Sequence, residues 1–199
     1  NRGEIALRIL RACKEMGIKS LAVYSEADRD ALHTRNADGA ICIGPAKSKD
    51  SYLNITSLIS AMEVADAEAV HPGYGFLAEN AGFAEACEKC GIKFIGPTSN
   101  VMRLMGNKVQ AKKIAEELNV PVLPWSNRAL TDEKDAIEVS KKIGFPVLIK
   151  AASGGGGRGM KLVHTQASLA ASFNMAKSEA VAAFGDGEVF IERFCELPR

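Results

Sequence analysis

The chain has 199 residues, 47% of them apolar and 25% charged, and a formal net charge of +1 at pH 7. That is the profile of an ordinary soluble globular protein, long enough for one large domain or two small ones. Lys+Arg (25) nearly balances Asp+Glu (24), which excludes a global pull toward nucleic acid or anionic membrane and leaves any anion site local, and no apolar run approaches the roughly 18 residues of a bilayer span.

The chain opens NRGEIALRILRACKEMG, with no methionine and no targeting sequence. This predicts a helix from the first residue. Asn1 is the expected N-cap, with Glu4 three residues on completing a capping-box-like pair. Ile5, Ile9, Leu10 and Cys13 recur at helical spacing, and Gly17 closes the helix. A first helix with no strand before it predicts that an opening strand is missing. KSLAVYS (19–25), GAICIG (39–44), EAVHPG (68–73) and IKFIGP (92–97) read as short buried strands. YLNITSLISAMEVADA (52–67) and LAENAGFAEACEKCG (77–91) read as helices. Such alternation predicts an α/β unit with a parallel sheet. Ligands of such sheets sit at the carboxyl ends of the strands, where HPGYGF (71–76) and GPTS (96–99) fall. His71 reads as a buried histidine bonded to backbone.

Near residue 100 the texture changes. NVMRLMGNKVQAKKIAEELNVP predicts two helical stretches broken at Gly106–Asn107, followed by a short extended piece, VPVLPW. TDEKDAIEVSKKIG (131–144) predicts a helix capped by Thr131 with basic residues at its end. FPVLIKAA is a strand, then comes a glycine loop, then the strand MKLVHT (160–165). QASLAASFNMAKSEAVAAFG is a helix and GEVFIERF (187–194) a last strand. The second half is therefore expected to be a small antiparallel sheet with two helices, with the boundary between halves in 98–122.

Five cysteines (13, 42, 87, 90 and 195) form no disulfide framework, and their number is odd, which predicts a reduced, intracellular setting. Cys87 and Cys90 have CxxC spacing. No second pair completes a zinc site, and the motif lies within a helix, so both read as ordinary helical cysteines.

The segment KAASGGGGRGM (150–160) carries the chemistry. Gly154, Gly156 and Gly159 satisfy GxGxxG, but a dinucleotide fingerprint must open a helix, and here MKLVHT alternates like a strand. A phosphate loop of the GxxxxGK[ST] type fails because Met160–Lys161 follow Gly159. A protein-kinase reading fails on order, since the glycine loop should precede the lysine of VLIK (147–150) and instead follows it. What remains is a strand–glycine loop–strand hairpin with Lys150 at its foot. Glycines admit positive φ and let backbone N–H groups approach phosphate oxygens. The alternatives are a phosphate-binding lid and a bare surface loop, and four consecutive glycines cost considerable folding entropy, which weighs against the bare loop.

Taken together, NRGEIALRILRACKEMGIK, HPGYGFLAENAGFA, FIGPTSNVMRLMGNK, FPVLIKAASGGGGRGM and VFIERF resemble biotin carboxylase, the ATP-grasp component of biotin-dependent carboxylases. The resemblance covers essentially the whole chain. It implies a Rossmann-like N-terminal domain (1–105) followed by the small α+β lid subdomain of an ATP-grasp fold (106–199), ending before the second half of the ATP site. The implied reaction joins ATP and bicarbonate into carboxyphosphate, whose CO₂ passes to N1′ of carrier-bound biotin. A closing lid suits this, because carboxyphosphate hydrolyses if water enters.

Matched residue by residue, the resemblance gives Lys108 and Lys150 as nucleotide and phosphate contacts. Gly154, Gly155, Gly156, Gly157 and Gly159 form the lid, and Met160 lines the adenine site. Glu192 reads the adenine amino group, with backbone of Arg193 and Cys195 completing that edge. Arg193-Phe194-Cys195 departs from the Lys-Tyr-Leu-like family pattern, which matters little where backbone does the reading. The family's Mg²⁺ carboxylates, its bicarbonate-binding arginine and most of its biotin site would lie beyond position 199, so no catalytic or metal residue is expected within the chain, and the chain alone is expected to be inactive. The implied partners are a biotin carboxyl carrier, a carboxyltransferase and a second copy, with no nucleic acid and no membrane; the implied setting is the cytoplasm, with an organelle matrix as the alternative. Acetyl-CoA carboxylase, hence fatty-acid synthesis, is the expected owner. Another ATP-grasp ligase of the carbamoyl-phosphate synthetase kind is the alternative, as is a non-catalytic nucleotide-binding module if the chain is complete.

Overall fold

The computed structural model describes residues 1–154 and 159–197. Gly155, Gly156, Gly157 and Arg158 of the glycine segment lie outside the described residues, as do the last two. The chain divides into two compact units, Asn1–Arg103 and Leu104–Arg199.

The first unit runs α1 (Gly3–Glu15), β1 (Leu21–Tyr24), α2 (Leu32–Asn36), β2 (Gly39–Cys42), α3 (Ile55–Val64), β3 (Ala69–Val70), α4 (Ala81–Lys89) and β4 (Lys93–Phe94). Helix α5 (Ser99–Gly106) carries the chain across the boundary. Pairing is parallel, as the strand–helix alternation predicts, with Leu21 opposite Gly39 and Ala69 opposite Lys93. The described ladders form two separate pairs rather than one sheet. β3 and β4 are only two residues long, because Pro72-Gly73 and Gly96-Pro97 follow at once and proline cannot donate to a ladder. The short helix α2 has no counterpart among the elements predicted from sequence.

α1 does not start as its sequence predicts. Arg2 occupies the N-cap position, with no side-chain cap. The Asn1 amide instead donates to the carbonyls of Pro72 (2.9 Å) and Tyr74 (2.6 Å), tying the first residue to the HPGYGF turn. That long-range use of Asn1 outcompetes a local cap. The closure at Gly17 is as expected. Gly17 takes φ +68, and the N–H groups of Ile18 and Gly17 donate to Cys13 and Lys14. α3 and α4 are capped by Asn54 and Asn80, which accept from the Ser57 and Phe83 N–H groups. His71 is exposed rather than buried, because β3 has ended one residue earlier. Its Nδ1 accepts from Gly73 N–H at 3.0 Å.

The core of this unit gathers Tyr52, Leu58, Phe83, Cys87 and Phe94. Burial pushes the Cys87 thiol up to about 11, whereas Cys90 lies exposed past the end of α4. All five cysteines are free, and among the described residues no cluster of three or more His, Cys, Asp or Glu could hold a metal. No described helix is long and apolar enough to cross a membrane.

The second unit adds α6 (Lys108–Glu117), α7 (Glu133–Ile143), β5 (Val147–Ala151), β6 (Met160–Val163), α8 (Leu169–Phe184) and β7 (Val189–Arg193). The sheet is antiparallel in the order β6-β5-β7. Alternation along β5 sends Val147, Ile149 and Ala151 to one face, where they pack with Leu169, Phe173, Val189 and Ile191. Leu148 and Lys150 lie on the other, opposite Glu192 and Phe190. There Val109, Trp125, Ala152 and Phe190 form a second cluster. With both faces covered, β7 is buried at four successive residues, Val189–Glu192, instead of alternating. The segment 124–130 lines the outer edge of β7. Arg193 N–H donates to Pro124, Ser126 N–H to Ile191 and Leu130 N–H to Val189.

Asp132, and not Thr131, caps α7, accepting from Asp135 N–H at 2.9 Å. Thr131 sits one residue earlier and donates through its N–H and hydroxyl to the Asp135 carboxylate, which also receives both terminal nitrogens of Arg128. The Arg128 hydrogen bond leads in holding the Asp135 carboxyl down from its ordinary 3.8 to about 2. A depressed carboxyl stabilises the fold above its unfolded pKa, and the gain is lost as pH falls from about 4 through about 2. Asp135→Asn is expected to cost about 1–2 kcal/mol near neutral pH, allowing for the exposed Arg128. Urea unfolding near pH 7 and near pH 2 checks this: the gap between variant and wild type should close at the lower pH.

Candidate functional site

The site grows from two periodicities. In β5, Lys150 shares a face with Leu148, so it lies diagonal to Glu192, the cross-strand partner of Leu148. In α6, Lys108 and Lys112 are one turn apart and point to the same side. The Glu192 carboxylate is the meeting point. Lys150 Nζ bonds Oε1, and Lys112 Nζ lies 2.9 Å from Oε2. Glu192 is 5% exposed. Burial alone would raise its carboxyl, but hydrogen bonds and charge from Lys150 and Lys112 outweigh that and hold it below the ordinary carboxylate value.

Lys108 works one step away, at the foot of the glycine segment. Its N–H donates to Ala152 O at 3.0 Å, and its ammonium donates to the Gly154 carbonyl. Burial, and then the charge of Lys150, lowers the Lys108 pKa. Two ammonium groups therefore sense each other at the end of β5. Counting Lys112, three ammoniums share this neighbourhood with one buried carboxylate, and the excess positive charge suits a polyanion.

The glycine segment is anchored at both feet. Ala151 N–H donates to Gly159 O, closing the hairpin before β6 begins at Met160. No helix N-terminus follows Gly159, so the dinucleotide fingerprint lacks its context here. Ser153 Oγ donates to Asp186 at 2.6 Å, and Ala152 N–H donates to Glu188 O. Gly154 (φ +78) and Gly159 (φ +68) both adopt the left-handed backbone that glycine tolerates. Gly155, Gly156 and Gly157, expected from the sequence as lid residues, lie outside the described residues.

The remaining sequence-predicted residues fall nearby, with differences. Met160 pairs with Lys150 across the hairpin and is 42% exposed, so its side chain offers apolar surface on the ammonium face. The Glu192 carboxylate is engaged by two lysines. Arg193 N–H is taken by Pro124 O, which leaves its carbonyl as the group that could read a base edge. Cys195 is exposed.

Sequence reasoning missed Lys112, Trp125 and Glu116. The Lys112 ammonium lies 5.4 Å from the centroid of the Trp125 ring, whose Nε1–H donates to Glu116 at 2.7 Å. A signal existed, since Lys112 and Glu116 continue the i, i+4 row that begins at Lys108.

Comparison with known proteins places both units. Residues 1–102 match the family described as biotin carboxylase, N-terminal domain, and residues 107–199 match carbamoyl-phosphate synthase L chain, ATP binding domain. The chain is 54% identical over 200 residues to the biotin carboxylase of Pseudomonas aeruginosa, covering 100% of this chain and 44% of that protein. It is 48% identical over 200 residues to the mitochondrial pyruvate carboxylase of Homo sapiens, covering 100% and 17%. A crystal structure of a biotin carboxylase–β-γ-ATP complex from Campylobacter jejuni superposes with a TM-score of 0.96 at 52% identity, covering 100% of this chain and 45% of that one. The chain thus spans less than half the length of the relatives it matches.

Proposed function

The chain belongs to the biotin carboxylase family, and from that premise we propose that it takes part in ATP- and bicarbonate-dependent carboxylation of biotin on a carrier protein. The observation that carries this reading is the convergence of Lys108, Lys150 and Gly154 at the end of β5, with the buried Glu192 behind them. Bicarbonate oxygen attacks the γ-phosphorus of ATP, ADP leaves, and carboxyphosphate forms. Departure of phosphate then yields CO₂, which N1′ of biotin takes up as its N–H proton passes to the released phosphate.

In this reading the chain's own residues bind and shield. Lys150 turns from Glu192 toward the phosphates, and Lys108, beside it at the foot of the glycine segment, helps neutralise them. Gly154 and Gly159, the described feet of the glycine segment, would frame the phosphates with backbone and help exclude water. Met160 packs on the adenine, whose edge is read near Glu192, Arg193 and Cys195. The donor set fits a nucleotide polyphosphate, being cationic, partly buried and framed by glycine backbone. Mg²⁺, when bound, would offset phosphate charge, and among the described residues no cluster of carboxylates is placed to hold it.

The acyl acceptor taken forward is acetyl-CoA, reached through a carboxyltransferase partner, with dimerisation and a cytoplasmic setting. The identity to a pyruvate carboxylase makes pyruvate the competing acceptor. The test is ATP hydrolysis by the full-length gene product with bicarbonate, with and without free biotin. Biotin-stimulated, bicarbonate-dependent turnover is the expected result. Turnover indifferent to biotin but triggered by another amine or acid would move the protein to a different ATP-grasp ligase. Acceptor assays with acetyl-CoA and with pyruvate then separate the two owners.

A further inference from the structure

We propose that Lys112 is a positioning residue for the nucleotide site: it keeps the buried Glu192 carboxylate charge-compensated, so that Lys150 is released to bind phosphate. This rests on the nucleotide reading above and adds a residue to it.

The Glu192 carboxylate is 5% exposed and has one ammonium on each oxygen, Lys150 on Oε1 and Lys112 on Oε2. The two lysines differ in what else they can reach. Lys150 is the penultimate residue of β5, near the glycine foot, and its charge is felt by Lys108, which bonds the Gly154 carbonyl. Lys112 is held on the far side, with its ammonium 5.4 Å from the centroid of Trp125 and its side chain 18% exposed. Trp125 is itself fixed by its bond to Glu116 and by edge-on packing against Phe190 at 5.9 Å. Lys150 is therefore the mobile partner and Lys112 the resident one.

Drawing Lys150 toward a phosphate removes a hydrogen bond and a charge from Glu192. A buried carboxylate stripped of all compensating charge is costly. With Lys112 in place the carboxylate keeps one ammonium, and the transfer of Lys150 leaves no uncompensated charge behind. Without Lys112, Glu192 would hold Lys150 back, and nucleotide binding would weaken although Lys112 never touches the nucleotide.

A double-mutant cycle on the full-length protein, read by calorimetric binding of a non-hydrolysable ATP analogue, tests this. Lys112→Met keeps the stem over Trp125 and is expected to weaken binding about 10-fold, which corresponds to about 1.4 kcal/mol. Lys112→Arg should restore most of it. In a Glu192→Gln background, where no carboxylate needs compensation, Lys112→Met should change binding less than about 3-fold. Equal weakening in both backgrounds would mean a general structural role and would overturn the proposal. So would wild-type affinity in Lys112→Met. If the wild type fails to bind the analogue, the nucleotide reading falls and takes this inference with it. If Lys150→Ala loses binding while Lys112→Met keeps it, the nucleotide reading stands and this inference falls.

Discussion

Lys150→Ala is expected to lower bicarbonate-dependent ATP turnover about 10²–10³-fold, the scale of removing one preorganised donor from developing charge. The fold should survive the change. Lys150 sits at the end of a strand with 26% of its side chain exposed, and Glu192 keeps Lys112 when Lys150 is gone. The core of the unit, on the opposite face of the sheet, does not include Lys150. The substitution therefore separates two readings of the same ion pair. A structural pair loses stability and leaves turnover per folded molecule intact. A phosphate-binding lysine loses turnover and leaves the thermal midpoint nearly unchanged. Lys150→Arg sharpens the contrast, since it keeps the charge but replaces a compact ammonium with a planar fork. It should keep the ion pair with Glu192 and recover only part of the activity. Full activity in Lys150→Ala would overturn the placement of phosphate at the end of β5.

How much of this site is legible in the sequence depends on what each residue needs. Lys150 and Glu192 are visible because period-2 alternation fixes which face a strand residue occupies, and both strands stand out by their apolar neighbours. Gly154 and Gly159 are visible because a glycine run between two strands has few other uses. Lys112 is not, because a lysine on a charged helix looks solvated until the helix is known to lie over a sheet. Its meaning comes from Trp125, which enters through a segment without regular structure and bridges to Glu192. The caps show the same limit. Gly17, Asn54, Asn80 and Asn107 act locally as helix signals, whereas Asn1 is claimed by carbonyls more than 70 residues away. Thr131 and Asp132 are both competent caps, and the choice falls to Asp132 because Asp135 has already recruited the Thr131 N–H. Short-range rules place the elements, and long-range competition for donors decides their ends.

Gly154→Ala is expected to destabilise the second unit by about 2–4 kcal/mol, more than the same change at Gly159. Two costs add. The backbone there has φ +78, a conformation that disfavours a β-carbon by roughly 1–2 kcal/mol. The new methyl would also be driven into the ring of Phe184, at the last turn of α8. That ring cannot retreat cheaply, because it packs on the cluster that includes Phe173, Ala176 and Ala180. Either the ring moves and opens the core, or Gly154 moves and pulls its carbonyl from Lys108. Both routes damage the foot of the glycine segment. Gly159→Ala makes a useful contrast, since its φ is similar at +68 but the nearest atom to its methyl would be the Ala151 methyl, at 3.0 Å. Its cost should stay near the backbone contribution. Hydrogen exchange resolves the two, because local opening energies are read segment by segment. Gly154→Ala should speed exchange in β5 and the second half of α8, and Gly159→Ala should do so much less. Equal effects would mean that backbone strain alone requires glycine at this foot, and that Phe184 exerts no pressure on it.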